Sequence, residues 1–170
     1  MKIALFGGTF DPVHAVHLQI AQSVLDSGRA DWVLFIPAPC PPHKTKQRIT
    51  PYEVRKKMLE TATEGNPSFI VSDLERFRPG KSYTIDTLNE LSEIYPEDEL
   101  FLLIGSDSLR QLHTWYRARE LADNYSLLVY PRTSEKISRE ELLLHWTEQE
   151  TDKLLSGVMH GLPDSPVSST

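Results

Sequence analysis

Ile3-Ala4-Leu5-Phe6-Gly7-Gly8-Thr9-Phe10-Asp11-Pro12-Val13-His14-Ala15-Val16-His17 decides how the rest of the chain is to be read. Its first four residues are an apolar run of the length of a buried strand. Gly7, Gly8 and Pro12 then bar a helix, and from Ala15 to Leu25 the apolar residues recur with helical spacing. The expectation is a strand, a glycine turn and a helix. Such a turn directs backbone N–H groups and the positive end of the helix dipole beyond the strand end, where a phosphate is the natural occupant. His14 and His17, three residues apart, share one face of the first helical turn, so a polyphosphate there would meet two imidazoles.

Other devices fit less well. A zincin needs histidines at i and i+4 with a glutamate between, and Ala15-Val16 supplies no acid. A P-loop needs Gly-Lys-Ser/Thr, and the dinucleotide fingerprint needs spaced glycines with a third opening the helix. Neither is present.

Gly-Gly-Thr-Phe-Asp-Pro-x-His-x-x-His at the end of a first strand resembles the signature of the HxGH nucleotidyltransferase superfamily, and within it the nicotinate mononucleotide adenylyltransferases. The family pattern has glycine where this chain has Val16, so a valine side chain is expected to crowd the adenylate. The resemblance implies a Rossmann-like, doubly wound α/β fold with five parallel strands. It implies transfer of AMP from ATP to nicotinate mononucleotide, with magnesium arriving on the triphosphate and no metal held by the protein. Pro41-Pro42-His43-Lys44 is similar to the family's Pro-Pro-His-Lys motif, in which the lysine closes over the triphosphate. His14, His17 and Lys44 are thereby the expected catalytic residues, neutralising charge that develops on the phosphates. Gly7, Gly8, Thr9 and Phe10 are expected to meet ATP, with Asp11 mainly forming the turn.

Along the chain, Trp32 to Ile36 and Leu100 to Ile104 read as further buried strands, with Phe69 to Val71 as a short third strand and Ser126 to Tyr130 as a fifth. Tyr52 to Thr63 reads as an amphipathic helix, with Val54, Met58, Leu59 and Ala62 on one face and Arg55, Lys56 and Lys57 largely on another. Arg55 and Met58 match a family Arg-x-x-Met pair, so Arg55 either braces the neighbouring loop or lies on the surface. Ser82-Tyr83-Thr84-Ile85-Asp86-Thr87-Leu88 is a well-formed helix start, with Ser82 or Thr84 as N-cap and Asp86 in the favourable first turn. It also resembles the family's Ser-Tyr-Thr-x-Asp-Thr-Leu motif. There the backbone near the threonine receives the nicotinate carboxylate, as helix-terminal N–H groups suit an anion better than an amide. Tyr83 and Thr84 are therefore expected at the acceptor nucleotide.

Gly105-Ser106-Asp107-Ser108 closes the fourth strand. Asp107 either caps the next helix or, by resemblance, holds the adenosine ribose beside Gly105. Trp115-Tyr116 is either core or, as in the family, the platform of the pyridine ring. Arg132 stands where a family arginine meets a substrate phosphate. Between Glu135 and Lys153 the chain reads as acidic and amphipathic, with Leu142, Leu143, Trp146 and Leu154 as its buried side and a packing role only. The last residues, Val167-Ser168-Ser169-Thr170, resemble the opening of the family's Ile-Ser-Ser-Thr-x-Ile-Arg segment, and Ser168, Ser169 and Thr170 are expected at the ATP phosphates. On this reading residues 1–170 are one nucleotidyltransferase domain, truncated at its C-terminal end.

Composition narrows the class further. A chain of 170 residues suits one domain, and a net charge of −6 argues against a general nucleic-acid binder. A single cysteine, Cys40, excludes an intrachain disulfide, and no run reaches transmembrane length. A cytoplasmic protein without a membrane partner is expected. Two rivals remain: another adenylyltransferase such as the phosphopantetheine enzyme, which would not require the Ser82–Leu88 or Trp115-Tyr116 matches, and a non-catalytic nucleotide-binding protein.

Overall fold

The computed structural model describes residues 1–39, 49–78, 82–132 and 136–160. Lys44, Ser168, Ser169 and Thr170 lie outside them, as do Pro41, Pro42 and His43. Five parallel strands form one sheet in the order β3-β2-β1-β4-β5: β1 (Lys2–Gly8), β2 (Trp32–Pro37), β3 (Phe69–Val71), β4 (Glu99–Gly105) and β5 (Ser126–Tyr130). The helices are α1 (Ala15–Asp26), α2 (Tyr52–Thr63), α3 (Thr84–Ile94), α4 (Ser106–Gln111), α5 (Ala118–Asn124), α6 (Arg139–Leu143) and α7 (Glu148–Ser156), with a 3-10 turn at Leu112–Thr114.

The strands are apolar throughout because both of their faces are covered. Ile3, Leu5, Leu34, Ile36, Leu102 and Val129 join a core with side chains of α3 to α7, whereas Ala4, Phe6, Val33, Phe35, Leu103 and Leu128 join a second core with Ile20, Ala21 and Val24 of α1 and Leu59 of α2. Alternate residues of one strand thus serve opposite layers. The chain winds outward from β1 to β3 with its helices on one face. It then returns through α3 on the other face to begin β4 beside β1. The carboxyl ends of β1 and β4 diverge at this reversal, the place where open α/β sheets bind ligands.

Several local expectations need correction. Gly7 and Gly8 are not in the turn: they are the last residues of β1, in register with Ile36 and Pro37, and the turn proper begins at Thr9. On α2 the buried residues are Arg55, Leu59 and Thr63, while Val54 and Ala62 are exposed. Neither Ser82 nor Thr84 caps α3. Tyr83 holds the N-cap position without a side-chain bond, because the Ser82 hydroxyl is taken by Arg78 Nη1 at 2.8 Å. Between Glu135 and Lys153 two short helices form in place of one face, each opened by a reciprocal capping box, Ser138 with Glu141 and Thr147 with Glu150. Leu142, Trp146 and Leu154 are buried as expected, but Leu143 is 38% exposed.

Candidate active site

Between the diverging ends of β1 and β4 lies a cavity of about 360 Å³. Gly7, Gly8, Thr9, Phe10 and His17 line it from the β1 side, and Gly105, Trp115 and Arg132 from the other. The turn entering α1 is held in an uncommon shape. Phe10 has φ of 48°, in the left-handed region that a bulky residue rarely enters, and its buried ring packs edge-on against Phe6 and His17. Asp11 does form the turn, and it also accepts the Thr50 backbone N–H at 3.0 Å, tying the lead-in of α2 to it.

His14 occupies the N-cap position of α1 and His17 its third residue, their ring centroids 5.7 Å apart. The backbone N–H of His14 donates to His17 Nδ1 at 2.9 Å. Neutral imidazole has one donor and one acceptor nitrogen, so this bond leaves the His17 proton on Nε2. Burial, then the nearby His14 and then Arg132 lower the His17 pKa to about 4. His17 is therefore a neutral donor at physiological pH. His14 Nε2 is buried and has no hydrogen-bond partner among the described residues. A buried polar atom in that position awaits a ligand or a water.

Across the cavity Gly105 is glycine for a steric reason. A Cβ there would lie 2.6 Å from Arg132 Cδ and 2.8 Å from Asp107 Oδ1. Arg132 folds over it to pair with Asp107 at 3.6 Å, and the Arg132 backbone N–H donates to the buried Ser106 hydroxyl at 3.0 Å. Asp107 does not cap α4, whose N-cap is Gly105. Ser106 escaped the sequence reading, in which a serine after a strand glycine signals only a turn.

Next to Trp115, but outside the lining of the cavity, stand the start of α3 and Tyr116. A crossover helix runs antiparallel to the strands it joins, so the start of α3 stands at the same carboxyl edge of the sheet as the turn before α1. No side chain among the described residues caps it. Tyr83 and Tyr116 rings meet at 4.4 Å between centroids, joining this helix start to the segment in which Trp115 lines the cavity. Behind them, Thr87 donates to Glu75 at 2.8 Å and accepts from Arg78 at 2.6 Å, and Arg78 also pairs with Glu90 at 2.5 Å. Burial raises the Glu75 pKa.

Of the site residues named from sequence, Gly7, Gly8, Thr9, Phe10, His17, Gly105, Trp115 and Arg132 line the cavity, whereas His14, Tyr83, Thr84, Asp107 and Tyr116 are not in its lining. Val16 is different in kind, packing against the second core rather than lining the cavity. Among the described residues no three His, Cys, Asp or Glu side chains cluster to hold a metal, and no helix is long and apolar enough to cross a membrane.

Residues 5–170 match the cytidylyltransferase-like family. A protein of Geobacter sulfurreducens named as a probable nicotinate-nucleotide adenylyltransferase is 48% identical over 132 residues, which are 78% of this chain and 61% of that protein. One of the same name from Trichormus variabilis is 39% identical over 153 residues, 89% of this chain and 72% of its own length. Nicotinic acid mononucleotide adenylyltransferase of Plasmodium falciparum, solved in complex with NaAD, shares the fold with a TM-score of 0.72 at 20% identity, over 84% of this chain and 70% of that one. The chain spans about three fifths of the length of the Geobacter relative.

Proposed function

The chain belongs to the nicotinate-nucleotide adenylyltransferase family, within the cytidylyltransferase-like proteins, and from that premise we propose that it transfers AMP from ATP to nicotinate mononucleotide, yielding nicotinate adenine dinucleotide and pyrophosphate in the cytoplasm. It acts as a single nucleotidyltransferase domain. A phosphate oxygen of the acceptor attacks the α-phosphorus in line, and the bond to the oxygen bridging the α- and β-phosphates breaks. No covalent enzyme intermediate is needed, so catalysis is positioning and stabilisation of charge.

The observation that carries this reading is the cavity between β1 and β4, where the turn before α1 and His17 face Gly105, Trp115 and Arg132. The start of α1 brings the orphaned His14 Nε2 and the neutral His17. The start of α3, which no side chain among the described residues caps, stands beside the Tyr83–Tyr116 ring pair. In this reading Gly7, Gly8, Thr9, Phe10, Gly105 and Asp107 receive ATP together with Ser168, Ser169 and Thr170, and Lys44 closes over its phosphates. Tyr83, Thr84, Trp115, Tyr116 and Arg132 receive the nicotinate nucleotide. His17 contributes a hydrogen bond from Nε2 rather than a charge, because Nδ1 is already an acceptor.

Among the described residues no three His, Cys, Asp or Glu side chains cluster to hold a metal, and in this reading magnesium arrives with ATP. It supplies charge neutralisation on the triphosphate and keeps most of its waters. The test is pyrophosphate release with ATP, magnesium and one of three acceptors: nicotinate mononucleotide, nicotinamide mononucleotide or phosphopantetheine. Release with the nicotinate compound far above the amide supports the reading. Release with phosphopantetheine instead contradicts it.

A further inference from the structure

The inner face of α2 carries a charge where its neighbours carry apolar or small groups. Arg55, Leu59 and Thr63 recur every four residues along the buried stripe, and Arg55 is only 1% exposed. A guanidinium so placed is costly unless its donors are satisfied. Arg55 Nη1 donates to the Thr9 carbonyl at 2.7 Å and to the Ala38 carbonyl at 2.8 Å. Nη2 reaches the Pro39 carbonyl at 3.2 Å, and Nε the Thr50 carbonyl at 2.8 Å. One side chain therefore fastens the phosphate turn, the exit from β2 and the lead-in of α2 to each other.

The Thr9 bond bears on the chemistry. In a planar trans peptide the carbonyl oxygen and the following amide hydrogen point in opposite directions. Turning the Thr9 carbonyl toward Arg55 turns the Phe10 N–H away from α2. Thr9 and Phe10 line the cavity and Arg55 does not. Phe10 also holds a left-handed φ of 48°, a shape that persists only where the surroundings impose it. Arg55 holds the carbonyl just before Phe10, and the Phe10 ring packs against Phe6, His17 and Phe35.

We infer that Arg55 is a positioning residue for the ATP half of the site: without touching the nucleotide, it sets the direction of the backbone donors in the Thr9–Phe10 turn. The inference rests on the adenylyl-transfer reading, in which that turn receives the triphosphate. A guanidinium is suited to the task because its planar fork reaches several carbonyls at fixed angles, whereas an ammonium is a point charge on a flexible stem.

The experiment compares wild-type chain with Arg55→Lys and Arg55→Met. It measures thermal unfolding, affinity for a non-hydrolysable ATP analogue, and KM for ATP and for nicotinate mononucleotide. Arg55→Lys keeps the buried charge and part of the bonding, so it is expected to fold. Its affinity for the analogue is expected to fall about tenfold, the size of one or two lost charge-assisted hydrogen bonds. KM for ATP should rise in parallel while KM for the nicotinate compound stays within about twofold, as α3 is not among the segments Arg55 fastens. Arg55→Met is expected to weaken analogue binding further or to unfold, and if it unfolds the lysine variant alone decides. A lysine variant that loses stability but binds the analogue like wild type overturns the inference, and so does an equal loss for both substrates. Analogue binding needs no turnover. A wild-type chain that binds the analogue without releasing pyrophosphate therefore contradicts the transfer reading and leaves the Arg55 comparison standing.

Discussion

Protonating His17 would place a hydrogen on the nitrogen that accepts the His14 backbone proton, so the ring can hold the start of α1 or carry a charge, and burial favours the first. Its pKa of about 4 lies below the 6.5 of an unfolded chain. Between those values the unfolded chain binds a proton that the native chain refuses, and stability attributable to His17 is lost as pH falls through that window. The His17 ring resonance is expected to titrate with a midpoint near 4, followed by NMR; a midpoint near 6.5 would mean that the ring is not held out of water as described. His17→Ala should abolish pyrophosphate release while the chain stays folded by circular dichroism, and normal rates would remove His17 from the phosphate site. Gly105 gives a second prediction. Gly105→Ala drives a methyl group into Arg132 Cδ, and a flexible arginine will yield before the backbone does. KM for the acceptor nucleotide is expected to rise several-fold with little change in thermal midpoint, read from steady-state kinetics. Val16→Gly should cost about 1–2 kcal/mol of stability through lost packing and a glycine in the first helical turn. If the valine does crowd the adenylate, ATP affinity rises in the same variant; unchanged affinity would show that its packing against the core leaves the nucleotide free.

Among the elements, α3 shows how a helix start is kept open. A serine and a threonine stand at its entrance, and on sequence logic either should cap it. The Ser82 hydroxyl instead accepts from Arg78, and the next stabilising bonds come one turn later at Thr87. Thr87→Val removes a donor from the half-buried Glu75 and an acceptor from Arg78. It is expected to cost about 1–3 kcal/mol in chemical denaturation and to weaken the acceptor nucleotide more than ATP. The same logic explains what could be read in advance. The five strands were legible because each is a continuous apolar run, a pattern that only burial on both faces requires. The buried face of α2 was not, since an arginine at a core position is indistinguishable from a surface one until its carbonyl partners, at residues 9, 38, 39 and 50, are brought together by the fold. Leu143 failed for the converse reason: a helix of five residues has too little length to bury both leucines of a pair.

At the scale of the whole molecule, the strand order 3-2-1-4-5 puts the site where it is. The reversal between β1 and β4 opens one crevice, lined by the turn before α1 on one side and by Gly105, Trp115 and Arg132 on the other. The strand, turn and helix from Ile3 to Leu25 could be read from the motif alone. The direct packing of Tyr83 on Tyr116 could not, because it joins residues far apart in sequence through two rings. The account stands or falls on whether the two halves work as one site. The most direct measurement is mass-spectrometric detection of product after incubation of the chain with ATP, magnesium and nicotinate mononucleotide. Nicotinate adenine dinucleotide and pyrophosphate should appear in equal amounts. ATP that is bound but returned unchanged, with no dinucleotide formed, would contradict the account and make the chain a nucleotide-binding protein.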